Sequence, residues 1–320
     1  MGALARDSRL MRLLLTPTFA MYAACALLWI VAGFVFPGFS DPGHLRYMLE
    51  ISAILGIVAV GQTLVVITAG IDLSVGAMMT FAAIFGPAIS LAVGDQGIVS
   101  ILLLLALTAA IGALNGLAIT YLRIHPMIMT LAMATILTGV MLLVSGGTAV
   151  SVQNPIVVWL AQGHIGGVSV SIIVWIVAAI ATSFVLRKTV LGAWIYAVGT
   201  SERASALSGV NEKLVHVAVY AISGLTAGLT GVLLSGITMQ GYIGIGDPYL
   251  LLSIAAVVVG GTSILGGQGG YLGTIAGSIL LTTIISIIQI INVAAGWRQI
   301  ILGLLVLGLL TLYAREGRTR

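Results

Sequence analysis

Ten long runs of apolar residues, separated by short polar segments, follow one another along the 320-residue chain. A helix needs about 20 apolar residues to cross the hydrocarbon core of a bilayer, so each run predicts a membrane-spanning helix. The first run is too long for a cleaved signal peptide, and no small-residue cleavage site precedes the polar turn at 37–43. The predicted spans are 17–36, 48–69, 73–93, 98–121, 126–145, 168–186, 214–236, 249–265, 270–293 and 298–314.

The positions of the basic residues predict how these spans are oriented. Short loops on the cytoplasmic side of a membrane carry an excess of lysine and arginine. With a cytoplasmic N-terminus, ten spans place only Arg46 and Arg298 outside, and the C-terminus returns to the cytoplasm. The other 11 of the 13 basic residues then lie inside: Arg6, Arg9, Arg12, Arg123, Arg187, Lys188, Arg203, Lys213, Arg315, Arg318 and Arg320.

The composition agrees with a surface that faces lipid. Hydrophobic residues make up 60% of the chain and charged residues 7%, whereas a soluble domain has about 25% charged residues. The net charge of +4 comes from loops on one side of the membrane rather than from a basic patch, so no nucleic-acid partner is expected. The single cysteine, Cys25, excludes an internal disulfide. These features predict an all-α integral membrane protein, in which 1–320 form one transmembrane domain and some helices are broken by Gly-rich segments.

The larger of the two long loops is predicted on the inner side, at about 187–213, and holds six charged residues. It predicts a short helix from about Thr200 to Ser208, with Gly209 as a left-handed end. Glu202 near the positive end of this helix is expected to contribute only about 0.3–1 kcal/mol through the helix dipole. The helix either docks in a groove of a partner protein or ties two spans together at the membrane surface. Docking is favoured because this is the only sizeable soluble feature predicted inside.

The other long loop is predicted on the outer side, at about 146–167. It carries no charged side chain, except when His164 is protonated. Asn154 followed by Pro155 predicts the start of a short helix at the membrane interface.

Two Gly-rich segments, "GIDLSVG" at Gly70–Gly76 and "GGTSILGGQGG" at Gly260–Gly270, interrupt apolar runs on the predicted inner side. In the first, Asp72 is expected to cap the next helix by accepting an N–H bond from Ser74 or Val75, while the glycines permit the turn. In the second, the glycines allow either close helix packing or a conduit lined with backbone polar groups. Both segments are candidates for an inner gate or turn, with the residues Gly70, Asp72, Ser74, Gly76, Gly260, Gly261, Gly266 and Gly267.

Uncharged polar side chains inside the predicted spans are a further set of candidates. Most such residues join helices by hydrogen bonds. Those that face a shared cavity would offer transient hydrogen bonds to a polyhydroxylated solute on a translocation path. The candidates are Gln62, Asn115, Gln240, Gln289 and Asn292.

Several catalytic chemistries lack their residues in this sequence. There is no G-x-x-x-x-G-K-[ST] loop for a nucleotide phosphate and no H-E-x-x-H pair for zinc. Acidic and basic residues are also absent from 124–186 and from 248–297, where a proton- or sodium-driven carrier usually needs them. No catalytic residue, metal or cofactor is therefore expected, and the energy for any transport would come from a separate ATPase.

Four segments in the same order, over nearly the whole chain, resemble the ribose/xylose-type permeases of bacterial ABC sugar importers. They are "GIDLSVG" at 70–76, "RIHPMIMTL" at 123–131, "LGAWIYAVGTSERASALSGVN" at 191–211 and "AAVVVGGTSILGGQGG" at 255–270. The resemblance implies a multi-pass protein of the bacterial inner membrane that works as a dimer with a second copy or a sister permease. It also implies a cytoplasmic sugar-type ABC ATPase, a periplasmic sugar-binding protein, and a monosaccharide as the solute.

The resemblance further implies that the inner loop contacts the ATPase. The coupling residues expected there are Gly192, Ala197, Gly199, Glu202, Ala204, Ser208 and Gly209. The sequence departs from the family pattern at His125–Ile128, where "PPFI" is usual, at Gly199–Ser201, where "GGN" is usual, and at Ser205, where an alanine is usual. None of these departures removes a feature that the mechanism needs, but they leave the identity of the solute open.

Other functions stay open on the sequence. A branched-chain amino-acid type ABC permease has a similar architecture, although the two Gly-rich segments favour a sugar permease. A membrane enzyme acting on a lipid-linked substrate would need a cluster of acidic or histidine residues, which the sequence does not supply. A passive assembly or receptor protein would move no solute.

Overall fold

The computed structural model describes residues 17–94 and 97–294, and beyond them 296–297, 299–301, 303–304 and 307–308. The described chain is mostly helical. Its helices are α1 (Pro17–Val35), α2 (Pro42–Ile67), α3 (Val75–Val93), α4 (Ile98–Tyr121), α5 (Pro126–Ser145), α6 (Pro155–Gln162), α7 (Val170–Lys188), α8 (Val190–Thr200), α9 (Glu202–Leu207), α10 (Glu212–Thr238), α11 (Asp247–Val259) and α12 (Tyr271–Ile290).

Seven of these helices, α2, α3, α4, α5, α7, α10 and α12, are long and apolar enough to cross a membrane. The all-α membrane architecture predicted from the sequence is therefore confirmed. The last predicted span, 298–314, lies mostly outside the described residues, as do Arg298 and the basic residues of both termini.

Four two-residue strands join the helices at the end where α3 and α10 finish. Strand β1 (Val150–Ser151) pairs antiparallel with β4 (Gln240–Gly241), and β2 (His164–Ile165) forms a hairpin with β3 (Val168–Ser169). The short helix predicted in this outer loop is present as α6, because the Asn154 side chain accepts hydrogen bonds from the first backbone N–H groups of that helix.

Helix α10 is the centre of the packing and contacts α4, α2 and α3. It runs antiparallel to α4, and glycines bring the two backbones together. A Cβ added at Gly112 would overlap the carbonyl oxygen of Tyr220, and one added at Gly224 would overlap that of Thr108. Small residues mark such crossings because membrane helices gain their association from close packing rather than from leaving water.

Helix α2 is buried along its second half, since every residue from Ser52 to Ile67 is buried. A helix that is apolar on all sides belongs inside a bundle. Helix α1 lies outside it and is held to α12 by hydrogen bonds, among them Trp29 Nε1 to Thr283 Oγ1 at 2.7 Å.

The predicted span 249–265 is wrong in its extent, because helix α11 ends at Val259. Gly261 adopts a left-handed φ of +87°, and Gly266 and Gly267 adopt +84° and +70°, so the glycine segment cannot continue the helix. The 13 residues of α11 give a helix of about 20 Å, shorter than the hydrocarbon core.

The N-terminal ends of α3 and α11 meet. Thr80 Oγ1 accepts a hydrogen bond from the Gly246 N–H at 3.1 Å, and a Cβ added at Gly76 would lie 3.1 Å from the Gly246 carbonyl oxygen. At its other end, α11 packs through Gly260 against Gly273 of α12. The short helix α11 therefore connects the start of α3 to the start of α12.

Candidate functional site

The first break, residues 68–74 between α2 and α3, is organised around the carboxylate of Asp72. This side chain is fully buried. Its Oδ1 accepts hydrogen bonds from the Ser74 N–H at 2.9 Å and from Ser74 Oγ at 2.6 Å. Its Oδ2 accepts one from Ser223 Oγ of α10 at 2.7 Å. The predicted bond from the Ser74 N–H is therefore confirmed, but the expectation that Asp72 caps α3 is wrong, because Ser74 is the N-cap residue of that helix. The bond from α10 is an addition that the sequence did not reveal.

Asp72 lies deeper than the predicted cytoplasmic turn. Ser223 is the twelfth residue of α10, counted from Glu212, which is about 16 Å along the helix. A carboxylate at such a depth is costly unless hydrogen-bond donors surround it, and the two serines supply them.

Further polar groups surround this carboxylate. Asn115 Nδ2 donates to Ser74 Oγ at 3.1 Å, and Thr130 Oγ1 accepts from the Leu73 N–H at 3.0 Å. The Asn115 Oδ1 and the Tyr220 hydroxyl are buried without a hydrogen-bond partner among the described residues. Helices α4, α5 and α10 thus all contribute polar groups to the first break.

The turn of the first break does not use its glycines as expected. The residue with a left-handed φ is Ala69, at +60°, which costs a non-glycine residue about 1–2 kcal/mol. Gly70 is needed for space instead, since an added Cβ would lie 2.7 Å from the Tyr220 hydroxyl. The expectation that the glycines permit this turn is therefore wrong at Gly70, because close packing and not φ requires it.

The second break, residues 260–270 between α11 and α12, meets the first break and α8 in a tight junction. A Cβ added at Gly199, near the end of α8, would overlap the Ile67 carbonyl oxygen, and one added at Gly266 would lie 2.6 Å from the Gly199 carbonyl oxygen. The Gly267 N–H donates to the same Ile67 carbonyl at 2.9 Å. Three segments far apart in sequence therefore touch through backbone atoms.

Helix α8 was not predicted, because its sequence falls in a segment read as loop. It is held by Thr189, whose hydroxyl accepts from the Gly192 N–H, and Gly192 packs against the backbone at Val185 and Leu186. The Tyr196 hydroxyl donates to the Gly269 carbonyl oxygen at 2.9 Å. Burial raises the pKa of this hydroxyl against a smaller opposite effect of Arg187, so Tyr196 remains a donor.

Helix α9 confirms the short helix predicted in the inner loop. Ser201 Oγ accepts from the Ala204 N–H at 3.2 Å, and Gly209 takes the expected left-handed φ of +84°. Ala204, Ser208 and Gly209 are exposed. Of the other coupling candidates, Ala197 is half-buried, whereas Gly192 and Gly199 are buried against the chain's own backbone.

Glu202 has a partner within the chain. Its Oε1 lies 3.0 Å from Nε2 of His216 in α10. The Glu202 side chain is 62% exposed, and that of His216 is 6% exposed. The helix dipole is therefore not the only interaction of Glu202 within the chain, and the bond to His216 is an addition that the sequence did not reveal.

A cleft of about 200 Å³ lies at the opposite end of the bundle, between the end of α3, the start of α4, β1 and α6. Among the described residues, those that line it carry no ionisable side chain. Its apolar lining includes Ile101, Leu104 and Val157. Its hydrogen-bonding side chains are Ser90, Ser100, Ser151, Gln153, Asn154 and Ser235.

The structure does not bring the five path candidates together. Gln62 and Asn115 are fully buried, and both polar atoms of the Gln62 amide lack a partner among the described residues. The placement of Gln240 and Asn292 inside spans is wrong, because Gln240 lies in strand β4 and Asn292 in a turn after α12. Gln289 is exposed in the last turn of α12.

Three residues of α10 belong to the site but were not predicted, namely His216, Tyr220 and Ser223. They lie within a long apolar run, which conceals them. Their spacing of i, i+4 and i+7 places them on one face of a helix, and a polar stripe at this spacing is the signal that would have found them.

The buried helices, the two breaks and the polar groups inside the bundle define a polytopic integral membrane protein of the permease class. Residues 45–314 match the family described as "Branched-chain amino acid transport system / permease component". The chain belongs to this family.

Curated proteins similar to this chain carry transport names. It is 33% identical over 277 residues to a ribose import permease protein of Escherichia coli, with 85% of each chain covered. It is 36% identical over 250 residues to a fructose import permease protein of Bifidobacterium longum, covering 76% of this chain and 69% of the relative. It is 33% identical over 281 residues to an inner membrane ABC transporter permease protein of Escherichia coli, covering 85% and 83%. No solved structure matches the chain.

Proposed function

We propose that this chain is the membrane-spanning permease subunit of an ATP-driven importer, and that it forms the translocation path for a monosaccharide. The observation that carries the proposal is the similarity, over most of the chain, to permease proteins named for ribose and fructose import. The four ordered segments that resemble sugar permeases support the same conclusion.

The lining of the cleft between α3, α4, β1 and α6, which we call the outer cleft, favours a neutral solute. A free amino acid carries an ammonium and a carboxylate, and burying either one requires a charged or strongly hydrogen-bonding partner. The described lining of the cleft offers only hydroxyl and amide groups, which suit the hydroxyls of a sugar. Because the family description names branched-chain amino acids, an amino-acid permease is the second candidate.

Four partners belong to the proposal, two on opposite faces of a bacterial inner membrane and two within it. A periplasmic sugar-binding protein delivers the solute to the outer face, and a sugar-type ABC ATPase binds ATP and docks on the cytoplasmic face. A second permease copy or a sister permease completes the membrane unit, and lipid surrounds it. The chain itself has no catalytic or cofactor role, and its ten spans, in a single domain, place both termini in the cytoplasm.

The residues that we assign to each role follow from exposure and position. Ala204, Ser208 and Gly209 lie on the exposed surface around α9, and we propose that this surface enters the ATPase. The two breaks, with Asp72 in the first, form the inner gate. Gln62 and Asn115 are the path residues that lie within the bundle.

Proteoliposomes test the proposed function. The chain is reconstituted with a sugar-type ABC ATPase and a periplasmic sugar-binding protein of the same organism, and uptake of labelled ribose, fructose and leucine is measured together with ATP hydrolysis. We expect uptake of one of the sugars, dependent on ATP and on the binding protein, and no ATPase activity of the permease alone. Uptake of leucine without sugar uptake would support the second candidate, and sugar uptake driven by a pH gradient without the ATPase would contradict both.

A further inference from the structure

Helix α9 has only six residues, too few to hold a fixed direction without help from the rest of the chain. At its start it follows α8 directly, through Ser201. Among the described residues, the side-chain hydrogen bond that joins α9 to α10 is the one between Glu202 Oε1 and His216 Nε2, at 3.0 Å. Because an ionised carboxylate only accepts hydrogen bonds, the Nε2–H of His216 is the donor.

This tie differs from an exposed ion pair in one respect. Its histidine is buried, with 6% of the side chain exposed, so solvent competes weakly for its side of the bond. Bonds to a charged group are shorter and stronger than neutral ones, and burial of one partner restricts the geometry. Glu202 is thereby held at one place on α10 although most of its side chain faces solvent.

A second bond leads from α10 into the bundle. Two turns beyond His216, Ser223 donates to Asp72 Oδ2 at 2.7 Å, and Asp72 holds the first break through Ser74. His216 and Ser223 lie seven residues apart, on the same face of α10. The part of α10 between these two bonds is two turns of continuous helix, which join α9 to the first break.

We propose that His216 and Ser223 are positioning residues that make α9, α10 and the first break move as one body. This inference rests on the proposed function, in which α9 docks on the ATPase. A displacement of α9 is passed by the Glu202–His216 bond to α10, and by the Ser223–Asp72 bond to the turn between α2 and α3. Neither residue touches the solute or ATP.

The test of the first bond uses the complete transporter, with its ATPase and binding protein, in proteoliposomes. The readout is the number of ATP molecules hydrolysed per solute molecule imported, which a loss of folded protein alone would not change. His216→Leu is expected to raise this ratio by about threefold or more, the factor for the loss of one hydrogen bond. His216→Gln, which keeps an N–H donor, is expected to restore a ratio near that of the wild type.

Glu202 provides the matching half of a double-mutant cycle. Glu202→Ala is expected to raise the ratio as much as His216→Leu, and the double variant no further. Glu212→Ala is the control, because Glu212 is the first residue of α10, the helix of His216, and forms no ion pair among the described residues. Additive effects of the two substitutions would overturn the proposal, since they would mean that Glu202 acts on the partner and not through His216.

The second bond has its own pair of variants. Ser223→Ala removes the donor to Asp72 and is expected to raise the ratio by about threefold or more. Thr230→Val removes a buried hydroxyl from the same helix, but that hydroxyl donates only to the Thr226 carbonyl of α10 itself, so no change is expected. Equal ratios in the two variants would overturn the second half of the proposal. If the wild type itself imports no solute, the proposed function fails, and this outcome is distinct from any difference among the variants.

Discussion

The two breaks in the membrane-spanning bundle lie against each other but are built by different means. In the first break, side chains from α4, α5 and α10 converge on a turn whose left-handed residue is an alanine, and a buried carboxylate accepts three hydrogen bonds. In the second break, glycines at +87°, +84°, +70° and +124° shape the backbone. Side chains hold the first break and backbone geometry holds the second.

This difference predicts how each break can move. Hydrogen bonds between side chains of separate helices make the position of the first break depend on α10. The second break depends on close backbone contact, because the Gly267 N–H bonds to the Ile67 carbonyl of α2. A movement of α10 therefore changes the first break directly and reaches the second only through the contact between them.

The largest expected effect comes from the contact that joins the breaks. Gly199→Val places a branched side chain against the Ile67 carbonyl and the Gly267 nitrogen, which are backbone atoms and not the ends of flexible side chains. Overpacking of this kind is expected to lower the free energy of unfolding by about 3 kcal/mol or more, measured by thermal unfolding in detergent. Gly139→Val is the control, because nothing lies within 4 Å of its added Cβ, and it is expected to change stability by less than about 1 kcal/mol. Equal stability of the two variants would contradict the claim that close backbone contact at Gly199 joins the two breaks.

Removing the carboxylate of the first break should lower stability more than removing a side chain of the second break. Asp72→Ala leaves the Ser74 N–H and two serine hydroxyls without their acceptor, and we expect a loss of about 2 kcal/mol or more. Ser263→Ala removes only a hydrogen bond from the Leu265 N–H within the second break, and about 0.5 kcal/mol is expected. Asp72→Asn keeps one carbonyl oxygen and should lie between them. A larger loss for Ser263→Ala than for Asp72→Ala, by the same thermal unfolding, would reverse our assignment.

The smallest expected change in stability comes from replacing an alanine by glycine, and its sign should differ between the first break and α9. Ala69→Gly relieves the left-handed conformation of the first break and is expected to raise stability by up to about 1 kcal/mol. Ala204→Gly makes the same substitution in helix α9, where glycine lowers stability by about 0.5–1 kcal/mol. Opposite shifts of the unfolding temperature are expected. A decrease for both variants would mean that the Ala69 methyl packs favourably against Gly266.

Periodicity and capping rules predicted the parts of this fold that depend on neighbouring residues. The apolar runs located the seven long helices, and the pattern from Thr200 to Gly209 predicted α9 and its left-handed end. The end of α11 was predicted six residues too late, because Ile264 and Leu265 extend the apolar run beyond Gly260. Hydropathy reports how favourably residues transfer to lipid. It does not report that the left-handed φ of Gly261 prevents the helix from continuing to Leu265.

The candidate site was harder to predict, because its bonds join residues far apart in sequence. The bond from the Ser74 N–H to Asp72 could be predicted, because the two residues are neighbours in sequence. The bond of Asp72 to Ser223 spans 151 positions, and no local pattern reports it. His216 was likewise overlooked. The polar stripe on α10 marks the face on which it lies, but the stripe does not identify its partner Glu202, which lies 14 positions away on another helix.

Our proposal places α9 and the second break on the cytoplasmic side of the membrane, with the first break deeper on that side and the cleft between α3, α4, β1 and α6 on the outer side. Thiol labelling tests it in a Cys25→Ala background, where no other cysteine is present. The exposed positions Arg203, Leu265 and Ile165 are each replaced by cysteine in separate variants, and a membrane-impermeant maleimide is added to spheroplasts before and after permeabilisation. Our account predicts that Ile165→Cys reacts from the outside, whereas Arg203→Cys and Leu265→Cys react only after permeabilisation. Reaction of Arg203→Cys in intact spheroplasts, or of Arg203→Cys and Leu265→Cys from opposite sides, would contradict it.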